Sequence, residues 1–342
     1  MGFTFGVRPV ILAPLRWKVP APPLQARERF MYKFLIRRLI FSIFTLIGAT
    51  IIVFTLSRVV GDPRLLYAQE GGYGLSDQAW DDLGVMLGLD KPLIVQYFLW
   101  VGDVVSGDLG ESLLGRVEVS KLIRQKAPNT LQLGLVSWAI ATFIGIPLGV
   151  LSAVKRGSFW DYLGRAFALL GQAAPPFWIG IMAILLFAVR LDWLPAGGRA
   201  EGIGGLKSFI LPAGTLGLAA SASYLRLTRS AMLEILDSEF VKLARAKGVG
   251  TQLVIWKHAF KNALIPPLTL SALILVGFIT GTVVVETVFT WPGLGRLAVT
   301  STNENDFPVM TGVVLVFALM YVIINLITDL TYAVVDPRIR IG

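Results

Sequence analysis

The chain has 342 residues, of which 55% are hydrophobic and only 15% are charged. A soluble domain carries about 25% charged residues, so this composition predicts a polytopic membrane protein rather than one or two soluble domains. The absence of cysteine excludes disulfides and thiolate metal sites. The net charge of +9 does not by itself indicate nucleic-acid binding, because in a membrane protein the positions of the charges set the topology.

The segment 1–30 precedes the first apolar run and shows no helical period. It contains several prolines and scattered Arg and Lys, a composition typical of a disordered basic tail that touches anionic lipid head groups. The alternative is a true start at Met31, which opens the sequence MYKFLIRRL. Both interpretations leave 31–342 as the membrane domain.

Six apolar runs are long enough to cross a bilayer as helices. The first follows positive charge and lacks a small-residue cleavage site, so it is predicted to be a span and not a removable signal peptide. The predicted fold class is therefore an all-α polytopic membrane protein. The predicted spans are 34–58, 130–154, 164–190, 209–230, 267–289 and 309–333.

The distribution of charge predicts which side of the membrane each connection occupies. With the N-terminus inside and six alternating spans, most Lys and Arg fall in the inner segments, and Asp and Glu outnumber them in the outer segments. This is the positive-inside pattern. Both termini and the connection between the fourth and fifth spans are therefore predicted to be cytoplasmic.

The outer segment between the first two spans, 59–128, is long and soluble in character. Within it, residues 92–105 have apolar side chains at helical spacing, but the run is too short to span and Asp103 interrupts it. The pattern predicts a helix that lies along the outer face of the membrane. Contact with an external partner and packing as a lid on the bundle are both open as its role.

Glycine and proline residues interrupt the apolar runs of several predicted spans. Gly145 with Gly149, and Gly277 with Gly281, have the small-xxx-small spacing that lets helices approach closely in lipid. A proline pair breaks the third span within QAAPPFW at 172–178. Ordinary helix packing is the preferred interpretation of each glycine pair, and a bundle that moves is the alternative.

The connection between the fourth and fifth spans, at 239–266, is basic and helix-prone. Phe240, Leu243 and Ala244 share one face of its first helix. Gly248 suits the left-handed position that ends a helix. A second helical run follows and ends before the prolines, so the sequence predicts a helix–turn–helix at the membrane surface. A knob that fits a groove in a soluble partner and a basic hairpin lying on anionic lipid are both compatible with this pattern.

Motifs for chemistry are absent from the sequence. No GxxxxGK[ST] phosphate loop occurs, so the chain is not predicted to bind or hydrolyse ATP. His258 is the only histidine and is predicted to be a structural residue. Near span ends, Glu286 either stabilises a turn or faces a pathway, and Asp329 is expected to contact a helix end or a neighbouring Arg. No catalytic residue, cofactor or metal site is predicted.

Two other classes of protein fit the sequence poorly. A secondary transporter would need ion or proton sites at mid-membrane, and the spans lack clusters of carboxylates. A membrane-embedded enzyme would need paired catalytic residues within the spans, and none is visible.

The connection 239–266 resembles the coupling loop of ABC-importer permeases, in the branch typified by dipeptide and oligopeptide permeases. Each matching motif is weak alone, but the set follows the family's order from about residue 31 to the C-terminus. The motifs are GDP at 61–63, LGLDKPLIVQY at 87–97, GDLGES at 107–112, GIPLGVLSA at 145–153, WLPAGG at 193–198, ARAKG at 244–248, HAFKNALIP at 258–266, VVVETVFTWPGLGRL at 283–297 and DPRIR at 336–340.

The chain departs from the family pattern in three places. The wider superfamily has Glu-Ala-Ala before the loop glycine, where this chain has Lys242, Leu243 and Ala244; this divergence is itself typical of the peptide branch. The outer connection 191–208 is short for the branch, which puts in doubt how a binding protein is met. The tail 1–30 lies outside the resemblance.

The resemblance implies a permease subunit of an ATP-driven importer in the cell inner membrane, forming half of a translocation pathway. The implied partners are a second homologous permease subunit, two ATPase subunits, an external substrate-binding protein and the lipid membrane, without nucleic acid. ATP binding would draw the two coupling loops together and open the pathway outward, and hydrolysis would reset it. Peptides are the implied substrate, with nickel complexes or oligosaccharides as alternatives.

The resemblance also implies which residues couple this chain to the ATPase. They lie on the two helices of the connection, on the turn between them and at the start of the fifth span. The expected coupling residues are Glu239, Phe240, Leu243, Ala244, Arg245, Ala246, Lys247, Gly248, His258, Asn262 and Pro266.

Overall fold

The computed structural model describes residues 24–59, 64, 76–86, 88–200 and 202–335. Every regular element within these ranges is a helix. In chain order they are α1 (Leu24–Val59), α2 (Asp77–Met86), α3 (Leu93–Ser106), α4 (Val119–Val154), α5 (Phe159–Ala173), α6 (Pro176–Arg190), α7 (Gly202–Leu236), α8 (Glu239–Ala246), α9 (Thr251–Ala263), α10 (Ile265–Gly281), α11 (Val283–Val288), α12 (Leu294–Asn303) and α13 (Phe307–Val335).

Six spans can be counted among the described helices. α1, α4, α7 and α13 are each long and apolar enough to cross a membrane alone. Two bent pairs raise the number to six: α5 with α6, at an angle of 104°, and α9 with α10, at 51°. The predicted all-α fold with six spans is confirmed with each bent pair counted as one span.

The third span, predicted over 164–190 with a break at the proline pair, consists of two helices at a sharp angle. It is an elbow, because α5 ends at Ala173 and α6 begins at Pro176. A proline lacks the amide hydrogen that an internal helical position requires, and the residue before it is driven toward extended backbone. Pro175 accordingly has extended backbone and Pro176 starts the new helix. The sequence located the break but not its angle.

The fifth span, predicted over 267–289, ends earlier. α10 stops at Gly281, and the apolar segment that follows forms the separate short helix α11. Hydrophobicity alone cannot separate the two, because α11 is also apolar; its Val285 is buried within the protein.

Three helices extend furthest beyond their predicted bounds. α1 begins at Leu24, inside the range 1–30 predicted to be a tail; residues 1–23 lie outside the described residues. α4 begins at Val119 rather than near 130, and α7 covers Gly202–Leu236 rather than 209–230. The added turns contain polar residues, so a hydropathy pattern does not include them.

The closest helix contact in the bundle is between α4 and α7. A Cβ on Gly145 would lie 2.5 Å from the Cβ of Tyr224, and one on Gly149 would lie 2.6 Å from the Cβ of Thr228. The predicted close approach is thus confirmed for this glycine pair. Around Gly277 a Cβ would meet nothing within 4 Å, so that position does not mark a close approach within this chain.

The connections between spans gather at two ends of the bundle. One end, called here the loop end, holds residues 155–158 and 237–264. The opposite end holds 107–118, 191–200 and 282–306. There, the Asn129 amide donates to the carbonyl of Pro292 at 2.8 Å, and Asp306 accepts a hydrogen bond from Ser112 at 2.5 Å. Successive connections thus lie at alternate ends of the bundle, as they must when each helix crosses the membrane in the direction opposite to the one before.

Candidate docking site

The turn of the helix–turn–helix is built on a left-handed glycine. Gly248 has φ of +80°. Its amide donates to the carbonyl of Arg245 at 2.9 Å, and the Val249 amide donates to the carbonyl of Ala244 at 3.2 Å. This pair of bonds is the Schellman arrangement, which satisfies the last carbonyls of a helix. The conformation predicted for Gly248 is therefore confirmed.

The inner side of the loop is packed firmly onto the spans. Val241 of α8 and Val254 of α9 are completely buried. Further along α9, Ile255, Ala259 and Ala263 belong to one apolar cluster with residues of α4 and α7. Residues Val254–Phe260 form a wide π-helical stretch within α9, a feature frequent at functional sites. Because its buried side is part of the bundle core, the loop is mechanically continuous with α4 and α7.

The outer side of the loop carries large apolar side chains. Phe240 and Leu243 of α8 are 45% and 57% exposed, and Leu253 and Trp256 of α9 are 50% and 53% exposed. The third member of the predicted apolar face, Ala244, is only half-exposed. Four exposed apolar side chains on one short loop are typical of a surface that meets another molecule.

Polar residues surround these side chains. The ammonium of Lys242 donates to Glu239 at 2.8 Å, and this hydrogen bond raises the pKa of Lys242 above its ordinary value. Arg245, Ala246 and Lys247 are exposed on the last turn of α8 and just beyond it. A mixed cationic and apolar surface suits both a protein groove and a lipid surface.

The remaining expected residues lie further along the chain. His258 is half-buried in α9, and its carbonyl accepts a hydrogen bond from the Asn262 amide at 2.7 Å. Pro266 is exposed near the start of α10. The structure therefore groups Glu239 to Gly248 on α8 and its turn, and places these three residues on the arm that leads back into the bundle.

Sequence reasoning missed a buried ion pair at the loop end. Asp161, near the start of α5, accepts hydrogen bonds from the Arg229 guanidinium of α7 at 2.7 and 3.1 Å. The hydroxyl of Ser152 in α4 and the amide of Gly157 also donate to it, at 2.7 and 3.0 Å. Asp161 thus joins three spans. The available signal was Arg229, a charged residue inside the predicted span 209–230.

At the opposite end, Glu286 is completely buried and organises a turn. Its carboxylate accepts hydrogen bonds from Thr130 at 2.7 Å, from Thr282 at 2.9 Å and from the Arg296 amide at 3.0 Å. The sequence left two roles open for Glu286, stabilising a turn or facing a pathway. The geometry supports the first role. Asp329 pairs with Arg38 at 2.9 Å, as expected.

Outside the loop, the described residues form a cavity but no cluster that could hold a metal ion. A cavity of about 390 Å³ lies at the opposite end, between α1, α3 and the start of α13. Within the described part of the chain, no three His, Asp or Glu side chains are grouped so that they could hold a metal ion.

The helical bundle with its packed loop is the fold of an ABC-transporter membrane subunit. The structure is similar to an inward-facing form of the MetNI methionine ABC transporter, with a TM-score of 0.53 and 19% identity over 63% of this chain and 96% of that chain. A second crystal form of the same transporter gives a TM-score of 0.52 with 21% identity, over the same shares of the two chains.

The chain belongs to the family of binding-protein-dependent transport system inner membrane components, whose model matches residues 145–341. The model of the N-terminal part of these components matches residues 31–134. The protein is therefore a transport component of the inner membrane.

Curated relatives are similar along nearly their whole length. The oligopeptide transport system permease protein AppB of Bacillus subtilis (strain 168) is 40% identical over 318 residues, which cover 91% of this chain and 100% of that protein. The dipeptide transport system permease protein DppB of Escherichia coli (strain K12) is 38% identical over 338 residues, covering 91% of this chain and 99% of that protein.

Proposed function

We propose that this chain forms half of the translocation pathway of an ATP-driven peptide importer, with residues 31–342 as its permease domain. The observation that carries the proposal is the loop 239–263, which is buried against the spans on one side and exposes apolar side chains on the other. Partner ATPase subunits, rather than this chain, hydrolyse ATP, and a second homologous permease completes the pathway.

The construction of the loop suits the transfer of force. An ATPase bound to Phe240, Leu243 and their neighbours would push on a rigid element. The loop is rigid because Val241 and Val254 on its inner side are completely buried. Movement of the loop would carry α4 and α7 with it, because residues of α9, α4 and α7 belong to the same apolar cluster. Packed elements of this kind shift as units rather than deforming gradually.

Charge supports a cytoplasmic position for the loop end and both termini. The loop end is rich in cations, as the positive-inside rule requires of cytoplasmic connections. The opposite end, which includes Asp103, Asp108 and Glu111, would face the external binding protein. The cations at the loop end are Lys155, Arg156, Lys242, Arg245, Lys247, Lys257 and Lys261.

Peptides are the proposed substrate because AppB and DppB, the relatives described above, are named as oligopeptide and dipeptide permeases. Nickel complexes and oligosaccharides are the alternatives within the same architecture. The test is to purify the external binding protein that works with this permease and to measure its ligands by calorimetry. We expect peptides to bind; binding of sugars or of a metal chelate alone would overturn the peptide assignment.

A matched pair of substitutions tests docking at the loop. Leu243 and Leu114 are both leucines with 57% exposure, and they lie at opposite ends of the molecule. Leu243→Glu places a charge on the proposed contact, so we expect the ATPase to be lost when this variant is purified from the membrane. Leu114→Glu should retain the ATPase. Undiminished ATPase recovery and uptake with Leu243→Glu would reject the docking assignment.

A further inference from the structure

The helix α3, in the long segment between the first two spans, has three distinct sides. At about 100° per residue, Tyr97, Trp100 and Val104 share one side, and Ile94, Phe98 and Val105 share a second. The third side holds Asp103 and Ser106, with Leu99 between them. An ordinary surface helix has only one apolar side, so the second apolar side of α3 calls for a partner.

The first side of α3 is fixed to α1. The Tyr97 and Thr50 hydroxyls are hydrogen bonded at 2.9 Å. The Phe54 ring lies 5.5 Å from the Tyr97 ring and 5.6 Å from the Trp100 ring, measured between centroids. These contacts hold α3 alongside α1 rather than beyond its end.

The depth of this attachment follows from the position of Thr50 in the first span. That span covers Ile36–Arg58. At 1.5 Å per residue, Thr50 is about 12 Å and Phe54 about 6 Å from Arg58 along the helix. The attachment of α3 thus lies within the apolar stretch of α1 and not beyond its end.

The second side of α3 is apolar and uncovered. Ile94 is 71% exposed, Phe98 67% and Val105 82%. On the adjacent α1, Ile51, Ile52 and other apolar side chains are also exposed. Since α1 is long and apolar enough to cross the membrane, its exposed apolar residues suit contact with lipid, and the second side of α3 is exposed and apolar in the same way.

Charge and aromatic residues are consistent with this position. No charged residue occurs between Lys91 and Asp103, so the stretch that carries Ile94 and Phe98 is itself uncharged, and the charges that flank it are Asp90 and Lys91 on one side and Asp103 on the other. Tyr97 and Trp100 belong to the two residue types that are enriched where the membrane meets water. The polar side, with Asp103 and Ser106, lies toward the C-terminal end of α3, the end nearer Arg58.

We propose that α3 is partly inserted in the membrane and that Ile94 and Phe98 contact lipid acyl chains in the leaflet at the opposite end from the loop. α3 then fixes where the described residues 107–118, which follow it in the chain, stand above the membrane. This role is independent of which protein docks on the loop 239–263.

Single cysteines test the proposal, since the chain has none of its own. The full chain carrying Phe98→Cys is spin-labelled and placed in nanodiscs of phosphatidylethanolamine and phosphatidylglycerol. The collision rates of the label with oxygen and with a water-soluble nickel complex are then compared. Ile52→Cys on α1 is the lipid reference, and Ser106→Cys on the polar side of α3 is the water reference. Ile94→Cys provides a second site should Phe98→Cys fail to fold.

The expected ratio of oxygen to nickel collisions at position 98 equals that at position 52 and is several-fold above that at position 106. A ratio equal to that at position 106 would show that the helix is in water and would overturn the proposal. Protection from both reagents would overturn it as well, because protein rather than lipid would then cover the apolar side.

Discussion

Asp161 connects three spans through one carboxylate at the loop end. Its partners come from α4, from the short connection after it and from α7, and the side chain is almost inaccessible to solvent. A buried charge is tolerated only when it is paired and hydrogen bonded. Because α7 leads directly into α8, this cluster fixes the end of α7 from which the loop 239–263 continues.

Replacing Asp161 with Asn should therefore destabilise the protein. Loss of one partner from a buried ion pair costs about 3 to 5 kcal/mol, and we expect the lower figure because Arg229 retains access to water. The matched control is Asp237→Asn, whose pair with Arg156 is exposed and contributes about 0 to 1 kcal/mol. Heat-induced unfolding in detergent measures both. Equal midpoints for the two variants would contradict the role given to Asp161.

Glu286 allows a second test at the level of single residues. Glu286→Ala leaves the Thr130 and Thr282 hydroxyls and the Arg296 amide without their acceptor, and each unsatisfied buried group costs about 1 to 3 kcal/mol. Glu286→Gln keeps an acceptor for the amide, and the hydroxyls can rotate to accept from its NH2 group. We expect a large loss of thermal stability for Ala and a small one for Gln. A Gln variant as unstable as Ala would indicate that the charge itself is required.

At the scale of elements, the sequence predicted helices well and their ends poorly. The spans could be located because each apolar run is long, and the turn at Gly248 because only glycine adopts φ of +80° there without strain. The 104° elbow after α5 and the separation of α11 from α10 depend on contacts made elsewhere in the bundle. Local sequence does not carry that information.

The arrangement of the loop 239–263 was also predicted only in part. Its apolar face was visible from spacing, but spacing could not show that Phe240 and Leu243 face outward while Val241 faces the bundle. Trp256 was not predicted to belong to the exposed surface, because spacing does not show which side of α9 faces outward. The Asp161 pair joins residues far apart in sequence, so no local pattern reveals it.

The contact between α4 and α7 gives a prediction at this scale. Gly145→Ala would force a methyl group to within 2.5 Å of Tyr224, so the helices must separate, and overpacking of this kind costs about 1 to 3 kcal/mol. Gly277→Ala is the matched control in another span, because its methyl group would meet nothing within 4 Å. We expect lowered thermal stability for the first variant only. Equal stability of the two would show that α4 and α7 are less tightly packed than described.

The whole molecule is a rigid bundle with different surfaces at its two ends. The loop end is cationic, carries exposed apolar side chains and is tied to α4 and α7 through a shared core. The opposite end is built from hydrogen-bonded turns around Glu286 and Asp306. This polarity is what an importer needs if ATPases act on one side and a binding protein delivers substrate on the other.

Cross-linking from single cysteines in the assembled transporter tests this account most directly. Leu243→Cys and Leu114→Cys are each labelled with a benzophenone maleimide and irradiated, and the products that contain this chain are identified by mass spectrometry. The account predicts that position 243 cross-links to the ATPase subunit and that position 114 does not. An ATPase product from position 114, or its absence from position 243, would contradict the proposal that the loop 239–263 is the ATPase docking site.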